Sequence, residues 1–435
     1  MTLASQQEMK RPDTIQPAAR LSRGQWIIIF LLVISVIINY ADRIDLSLAM
    51  PLIQHSFTLT PLQEGRLLSA FFWSYALLQL FGVAGWISDR FPVGWVMVGG
   101  YLLWSGATLA VGVVSSFSML FALRLLLGAG ESVAYPCYSR VFVELPQQHR
   151  GRANALVDIG TKLGPAVGAF VGGLLLVHFG WRILFIVLGA GGLLWLAPWL
   201  QNMPHTERHV AAEGSAPSPA FSELLRTKSA WGTFIGHFCG NYFFYFLIAW
   251  LPNYLVHEEN LSIRSMSRVT SAVFLLIATS TLVTGWVSDR LIAKGSSTTR
   301  VRRSVVVGGL AVASCLLLLM FVHGNMAISN ALLAVACVGY GAYASNHWAT
   351  SQTLAGPAMA GRWTSLQNGC SNLSGIVAPW VAGWIVQVNG SSRLAFVIAG
   401  AVALAGAGLF ALLVRRVEPV LWSTAGVAQY IAEER

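Results

Sequence analysis

Between about residue 26 and residue 414 the chain divides into twelve apolar stretches of roughly twenty residues each, punctuated by short charged segments. A helix needs about twenty apolar residues to cross ~30 Å of hydrocarbon. Lipid offers no hydrogen-bond partner to an open backbone, so stretches of this length in this number predict helices. They fall at 26–50, 62–86, 94–115, 117–140, 152–178, 182–202, 231–256, 266–288, 304–322, 326–350, 363–388 and 393–414. Only 11% of the residues are charged, against about 25% in soluble domains. The prediction is an all-α membrane protein of twelve transmembrane helices, the first read as a span rather than a cleaved leader.

The net charge of +10 does not point to nucleic acid, because of where it lies. With both termini placed in the cytoplasm, twenty of the 28 Lys and Arg residues fall on the inner side and five on the outer. That skew is the positive-inside pattern and sets the expected orientation. Arg43, Arg124 and Lys162 remain, and they lie within spans. The five cysteines sit in apolar segments without disulfide or metal spacing. No cofactor and no metal are expected.

An internal repeat divides the chain. Gly85-Trp-Ile-Ser-Asp-Arg90 follows the second span, and Gly285-Trp-Val-Ser-Asp-Arg290 follows the eighth. Gly151-Arg152 opens the fifth span and Gly361-Arg362 the eleventh. Matching motifs at matching places imply two six-helix halves, as in transporters that bind at mid-membrane between repeats. The expected organisation is an N-terminal tail (1–25), a first bundle (26–202), a cytoplasmic linker (203–230), a second bundle (231–416) and a C-terminal tail (417–435).

Burying one Arg or Lys at the centre of a span costs about 2.5–3.5 kcal/mol. Three such residues therefore need partners or a watery cavity. The first span carries Asp42-Arg43-Ile44-Asp45, with Arg43 about 12 Å from an outer end at Pro51. The fourth carries Arg124 and Glu131, seven residues apart and so on one helix face. Gly128 and Gly130 flank the acid and permit close helix approach. Two readings are open: arginines that clamp an anion, or internal ion pairs of Arg43 with Asp42 or Asp45, Arg124 with Glu131, and Lys162 with Asp158. The second half contributes neutral groups such as Asn241, Tyr245, Trp348, Asn368 and Asn372, with His347 as a titratable group. Asp89 and Asp289 are expected to bridge helix ends at the inner side, for example Asp89 with Arg140. With Arg90 and Arg290 they would latch the outward-facing state.

The repeated Gly-x-x-x-Asp-Arg signature, the twelve spans and the two-fold split resemble the major facilitator superfamily over residues ~20–420. The Asp-Arg pair of span one, the Arg-x6-Glu of span four and Tyr75 in span two resemble its anion:cation symporter branch, which includes galactonate, hexuronate and glucarate transporters. The resemblance implies a major facilitator fold and a secondary transporter, not an enzyme, in the bacterial cytoplasmic membrane, acting as a monomer. It implies that Arg43 and Arg124 contact a substrate carboxylate while Asp42 and Glu131 couple protons. Tyr75, Trp348 and Asn372 would be further substrate contacts. Lys162 departs from some relatives that carry a neutral polar residue there, and is read from this sequence alone as a third substrate-binding cation. The loop departs from the usual family pattern after Asp89-Arg90, where Phe91-Pro92-Val93-Gly94 follows.

The expected activity is proton-coupled import of an organic anion, a sugar acid by preference (aldonate, uronate or aldarate). The expected partners are that anion, protons and the lipid bilayer. A planar guanidinium fork suits a carboxylate, and a protonatable acid beside it can release or reclaim the arginine. Import of an aromatic or short-chain carboxylate is an alternative. An organophosphate–phosphate exchanger would place a buried cation in each half, and the second half has none. A drug exporter would not need an arginine clamp. A membrane enzyme would need a nucleophile–base or metal set, which His55, His178, His237, His323 and His347 do not supply.

Overall fold

The computed structural model describes residues 21–204, 221–322 and 325–422. Ten helices, together with one bent pair, are long and apolar enough to cross a membrane. One of the ten, Ala153–Asn202, is two spans in succession: Gly180 breaks it at φ 77°, ψ 174°, a left-handed φ that only glycine adopts without strain. Twelve spans result among the described residues. They are α1 (Arg23–Phe57), α2 (Pro61–Leu80), α3 (Val93–Val111), α4 (Phe117–Val143), α5 (153–179), α6 (181–202), α7 (Lys228–His257), α8 (Ile263–Ala293), α9 (Thr298–Met320), α10 (Ala327–Gly356), α11 (Met359–Asn389) and α12 (Arg393–Leu413).

Local chemistry sets many of the ends. Ser22 with Gln25 and Thr60 with Gln63 form capping boxes at the starts of α1 and α2, and Pro61 occupies the first turn, where a missing N–H costs nothing. Ser116 caps α4 and Ser262 caps α8.

Three expectations change. The first span does not stop at residue 50: α1 runs through Pro51 to Phe57, and Thr58 closes it at φ 48°. Arg43 is therefore fourteen residues, about 21 Å, from that end rather than about 12 Å. The second span is bent by 62° between α2 and a short helix, Val83–Arg90, where Gly82 takes φ 72°. Consequently the Gly-x-x-x-Asp-Arg signatures are helical rather than loops. Gly85–Arg90 lies on the short helix, with Ser88 Oγ donating to the Gly85 carbonyl at 2.7 Å. Gly285–Arg290 lies in the last turns of α8, with Ser288 Oγ donating to the Thr284 carbonyl at 2.7 Å.

Residues 1–20 of the expected N-terminal tail, 205–220 of the linker and 423–435 of the C-terminal tail lie outside the described residues. The described part of the linker includes a short helix, Phe221–Arg226. The start of the expected C-terminal tail is docked rather than free. Val417 N–H donates to Thr299 Oγ1 (2.9 Å), Val420 N–H to the Leu354 carbonyl (2.9 Å) and Trp422 Nε1 to the Ala355 carbonyl (3.0 Å).

The halves meet where α1 faces α7, α2 faces α11 and α5 faces α8. At the end that the charge skew assigns to the outside they are tied together. Gln54 bonds His257 (2.5 Å), Leu62 N–H donates to Gln387 (3.1 Å) and Asn253 donates to Glu64 (2.9 Å). This end is closed.

Candidate functional site

The three buried cations all occur in the first half, as the sequence predicts, but the partners of the two arginines are not those that spacing along one helix suggests. Arg43 of α1 donates through Nε to Glu131 Oε2 of α4 at 3.2 Å. Arg124 of α4 donates through Nη2 to Asp45 Oδ1 of α1 at 2.6 Å and through Nη1 to the Asp42 carbonyl at 3.2 Å. Both ion pairs thus cross between two helices, and neither Arg124–Glu131 nor Arg43–Asp42/Asp45 pairing occurs. The height of both Arg124 and Glu131 is set by Gly128, which lies against α2: a Cβ there would sit 2.1 Å from the Phe71 carbonyl oxygen. α2 and α4 approach closely at that point, and Ser74 Oγ of α2 donates across to the Leu125 carbonyl of α4 at 2.6 Å.

The pairs leave capacity unused. Arg43 Nη1 and Nη2, Arg124 Nε, Asp42 Oδ1, Asp45 Oδ2 and Glu131 Oε1 are buried without a hydrogen-bond partner. Aromatic faces hold the Arg43 guanidinium instead, with ring centroids 4.3 Å away at Tyr40, 4.6 Å at Tyr75 and 4.9 Å at Phe71. Such contacts orient a guanidinium without satisfying its N–H groups. A void of about 20 Å³ lies beside the two arginines, closed on the other half by Tyr245, Ile248 and Ala249. It has room for about one water. Both guanidinium groups border this small void, and in this conformation protein carboxylates neutralise them, as the ion-pair reading has it but with cross-helix partners.

The expected neutral contacts divide into two groups. Tyr75 stacks on Phe71 at 5.1 Å and lies over Arg43. Asn372 of α11 accepts from Tyr245 Oη (2.7 Å) and donates to Gln79 Oε1 of α2 (3.4 Å), which also accepts from Asn368 (3.0 Å). Trp348 lies elsewhere, against His237 (ring centroids 4.7 Å) and His347 (5.0 Å). Lys162 is paired with Asp158 at 3.5 Å and donates to Thr161 Oγ1 at 2.5 Å.

Several residues gain a place that the sequence does not give them. Asp45 enters from sequence only as a partner for Arg43. Gln79, which bridges the halves, carries no charge or motif to mark it. His237 lies in α7, and its ring centroid is 4.5 Å from that of His347; only a residue-by-residue search for titratable groups finds it.

At the inner side the first half holds the expected bridge in weak form. Arg140 Nε is 4.0 Å from Asp89 Oδ1, the Asp89 side chain is 77% exposed, and a stronger bond runs from Arg140 Nη1 to the Ser88 carbonyl. In the second half Asn346 Nδ2 donates to Ser288 Oγ at 3.0 Å. Asp289 forms no ion pair among the described residues, and Arg290 lies over Trp286 at 5.1 Å. No group of three metal-binding side chains occurs among the described residues.

Comparison with known proteins places this architecture. The family profile of the Major Facilitator Superfamily matches residues 32–379. Similar curated proteins include the uncharacterized transporter YybO of Bacillus subtilis, at 30% identity over 93% of this chain and 95% of that protein. The probable galactarate/D-glucarate transporter GudP of Bacillus subtilis is 29% identical over 94% of this chain and 96% of its own length. The D-galactonate transporter of Escherichia coli O6:H1 is 29% identical over 93% and 98%. Among solved structures, a bacterial homolog of the human lysosomal transporter Spinster, in an inward-facing and occupied conformation, superposes with a TM-score of 0.75 at 17% identity. That match covers 91% of this chain and 98% of the other. The chain belongs to the major facilitator superfamily and is a multi-pass membrane transporter, not an enzyme.

Proposed function

We propose that this transporter imports a sugar acid (an aldonate, uronate or aldarate) together with protons, by alternating access across a bacterial cytoplasmic membrane, as a monomer. The observation that carries the reading is the pair of buried arginines held by carboxylates of the facing helix, each with N–H groups left over. Relatives named as galactarate/glucarate, galactonate and hexuronate transporters support the substrate class.

A buried guanidinium keeps a counter-ion in every state, because leaving it alone in a low-dielectric site costs several kcal/mol (of order 3–5 when one partner of a buried pair is removed). Arg43 and Arg124 thus hold either a protein carboxylate or a substrate carboxylate. A proton on Glu131 weakens its hold on Arg43, and a proton on Asp45 loosens Arg124. Asp42, which meets Arg124 through its peptide carbonyl, would take up a proton on its unpartnered carboxyl beside them. The freed forks then close on the anion. Loss of those protons toward the cytoplasm lets the acids reclaim the arginines and expel the substrate. Spacing along α4 suggests that Glu131 releases Arg124; in the cross-helix geometry it releases Arg43.

Tyr75, Tyr245 and Asn372 would border the hydroxylated part of the substrate. Lys162 and Trp348 would meet it further toward the inner side. Asp89 and Arg90 with Arg140, and Asp289 and Arg290 in the second half, would favour the conformation in which the inner helix ends come together, although among the described residues only the Asp89–Arg140 approach is formed. The test is uptake in proteoliposomes under an imposed pH gradient, with galactonate, glucuronate and glucarate offered separately. Accumulation of at least one that collapses with a protonophore is the expected result. Accumulation indifferent to the gradient would refute the coupling.

A further inference from the structure

Glu64 stands apart from the charge cluster just described. It lies in the first turn of α2, at the closed outer end, and is only 3% exposed. Its side-chain partner is Asn253 of α7, on the opposite half, whose Nδ2 donates to Oε2 at 2.9 Å. No cation pairs with it among the described residues. Around it the halves are in tight contact. A Cβ on the neighbouring Gly65 would lie 2.6 Å from the Pro379 carbonyl oxygen and 3.0 Å from Gly383 Cα of α11.

We propose that Glu64 is a proton-binding site of the outer gate, distinct from the arginine-linked acids: the gate closes with the proton on Glu64 and opens as the proton leaves to the outside. Such a gate presupposes the alternating access proposed above. A carboxylate taken out of water needs a cation or several donors, and an isolated charge is costly to bury. The closed gate offers one amide. A protonated carboxyl fits that environment, since it needs no counter-charge, whereas the open gate gives the ionised form back to water.

Among the described residues the surrounding elements supply no alternative counter-ion: Arg43 of α1 and Arg124 of α4 are taken by Glu131 and Asp45. On α2 itself Arg66 faces solvent. On α1 and α7, His55 is exposed and His257 is engaged with Gln54. Beyond the end of α7, Glu258 is bound to Ser391 and Ser392, and Glu259 to Tyr254. The stretch of α11 that packs on α2, Ser374–Asn389, contains no ionisable side chain. By linkage, whichever state binds the proton more tightly gains population as pH falls, so external acid closes the gate and external alkali opens it, by up to about tenfold per pH unit.

The test places a reporter behind the gate. Ala249 borders the void beside Arg43 and is buried. In A249C, labelling by a membrane-impermeant thiol reagent from the outside reports opening, with the unmodified protein as background for its own cysteines. Divided at each pH by the reagent's rate with a free thiol, which removes the intrinsic rise in thiolate, the labelling rate is expected to rise severalfold between about pH 5.5 and about pH 8. In E64Q/A249C it should be low at both, because Gln keeps the acceptor for Asn253 and cannot ionise. N253A/A249C keeps the carboxyl and should keep a pH dependence with a moved midpoint. An E64Q/A249C profile identical to that of A249C alone, or labelling of A249C that ignores pH, would overturn the proposal while leaving alternating access intact. A249C that is never labelled, at any pH and with or without transported substrate, would contradict alternating access and the gate together.

Discussion

Arg124 Nη2 lies 2.6 Å from Asp45 Oδ1 on the facing helix, although Glu131 shares the arginine's own helix and face. The acid two turns down α4 is committed to Arg43 instead, at 3.2 Å. The two pairs therefore cross-link α1 to α4, and in the proposed exchange each carboxylate would compete with substrate for a different arginine.

In that exchange Asp45 would be the direct competitor for Arg124. Replacing it with Asn removes the negative charge and leaves an amide oxygen as a weaker acceptor. D45N is predicted to bind its sugar acid about tenfold more tightly at neutral pH, about 1.4 kcal/mol, by isothermal titration. Its release into the cytoplasmic compartment should slow correspondingly. Unchanged affinity would remove Asp45 from the exchange.

Arginine removal separates folding from binding. R43A and R124A each strand a buried carboxylate, so each is predicted to lower apo stability by about 3–5 kcal/mol unless that acid takes up a proton. Both should also lose the thermal shift that substrate gives the parent. The double variants R43A/E131Q and R124A/D45N relieve the stranded charge. They should recover most of the stability and none of the shift. A substrate-induced shift in either double variant would show that the arginines do not hold the anion.

The topology is legible from hydropathy and the repeated Gly-Trp-x-Ser-Asp-Arg motif, because both depend on properties that sequence displays directly: apolar length and identity at a fixed offset. Arg43, Arg124 and Glu131 are legible for a related reason, since a charge in a span must have a purpose. Pairing is not legible. Rotational spacing on a single helix favours Arg124–Glu131, but packing through Gly128 fixes which helix faces which, and that relation exists only in three dimensions. Gln79 stays invisible because neutral amides at a helix interface carry no signal until the partner helix is known. The extension of α1 past Pro51 is hidden because proline in a sequence reads as a stop, whereas inside a membrane bundle a helix continues through it.

Gly128 provides a steric prediction. A Cβ at that position would meet the Phe71 backbone oxygen at 2.1 Å, so G128V must push α4 from α2 and shift Arg124 and Glu131 together. Transport is predicted to fall at least tenfold, with a loss of stability of about 1–3 kcal/mol. Purified protein with parental melting temperature and transport would show that the approach is not needed.

Lys162 tests the second carboxylate. Its i,i+4 partner Asp158 lies 3.5 Å away and is a third exposed, while the Lys162 side chain is buried. If the ammonium turns to substrate, K162Q should weaken glucarate, with two carboxylates, about tenfold more than galactonate, with one. Equal effects in competition uptake would leave Lys162 as a partner of Asp158 alone.

The most direct test of the exchange between protein and substrate carboxylates is Glu131→Gln in proteoliposomes, with gradient-driven accumulation and substrate counterflow measured on the same preparation. An amide in place of the Glu131 carboxyl cannot alternate between charged and neutral, so accumulation under an inward proton gradient should vanish while counterflow persists. Accumulation at the parental level would contradict the account.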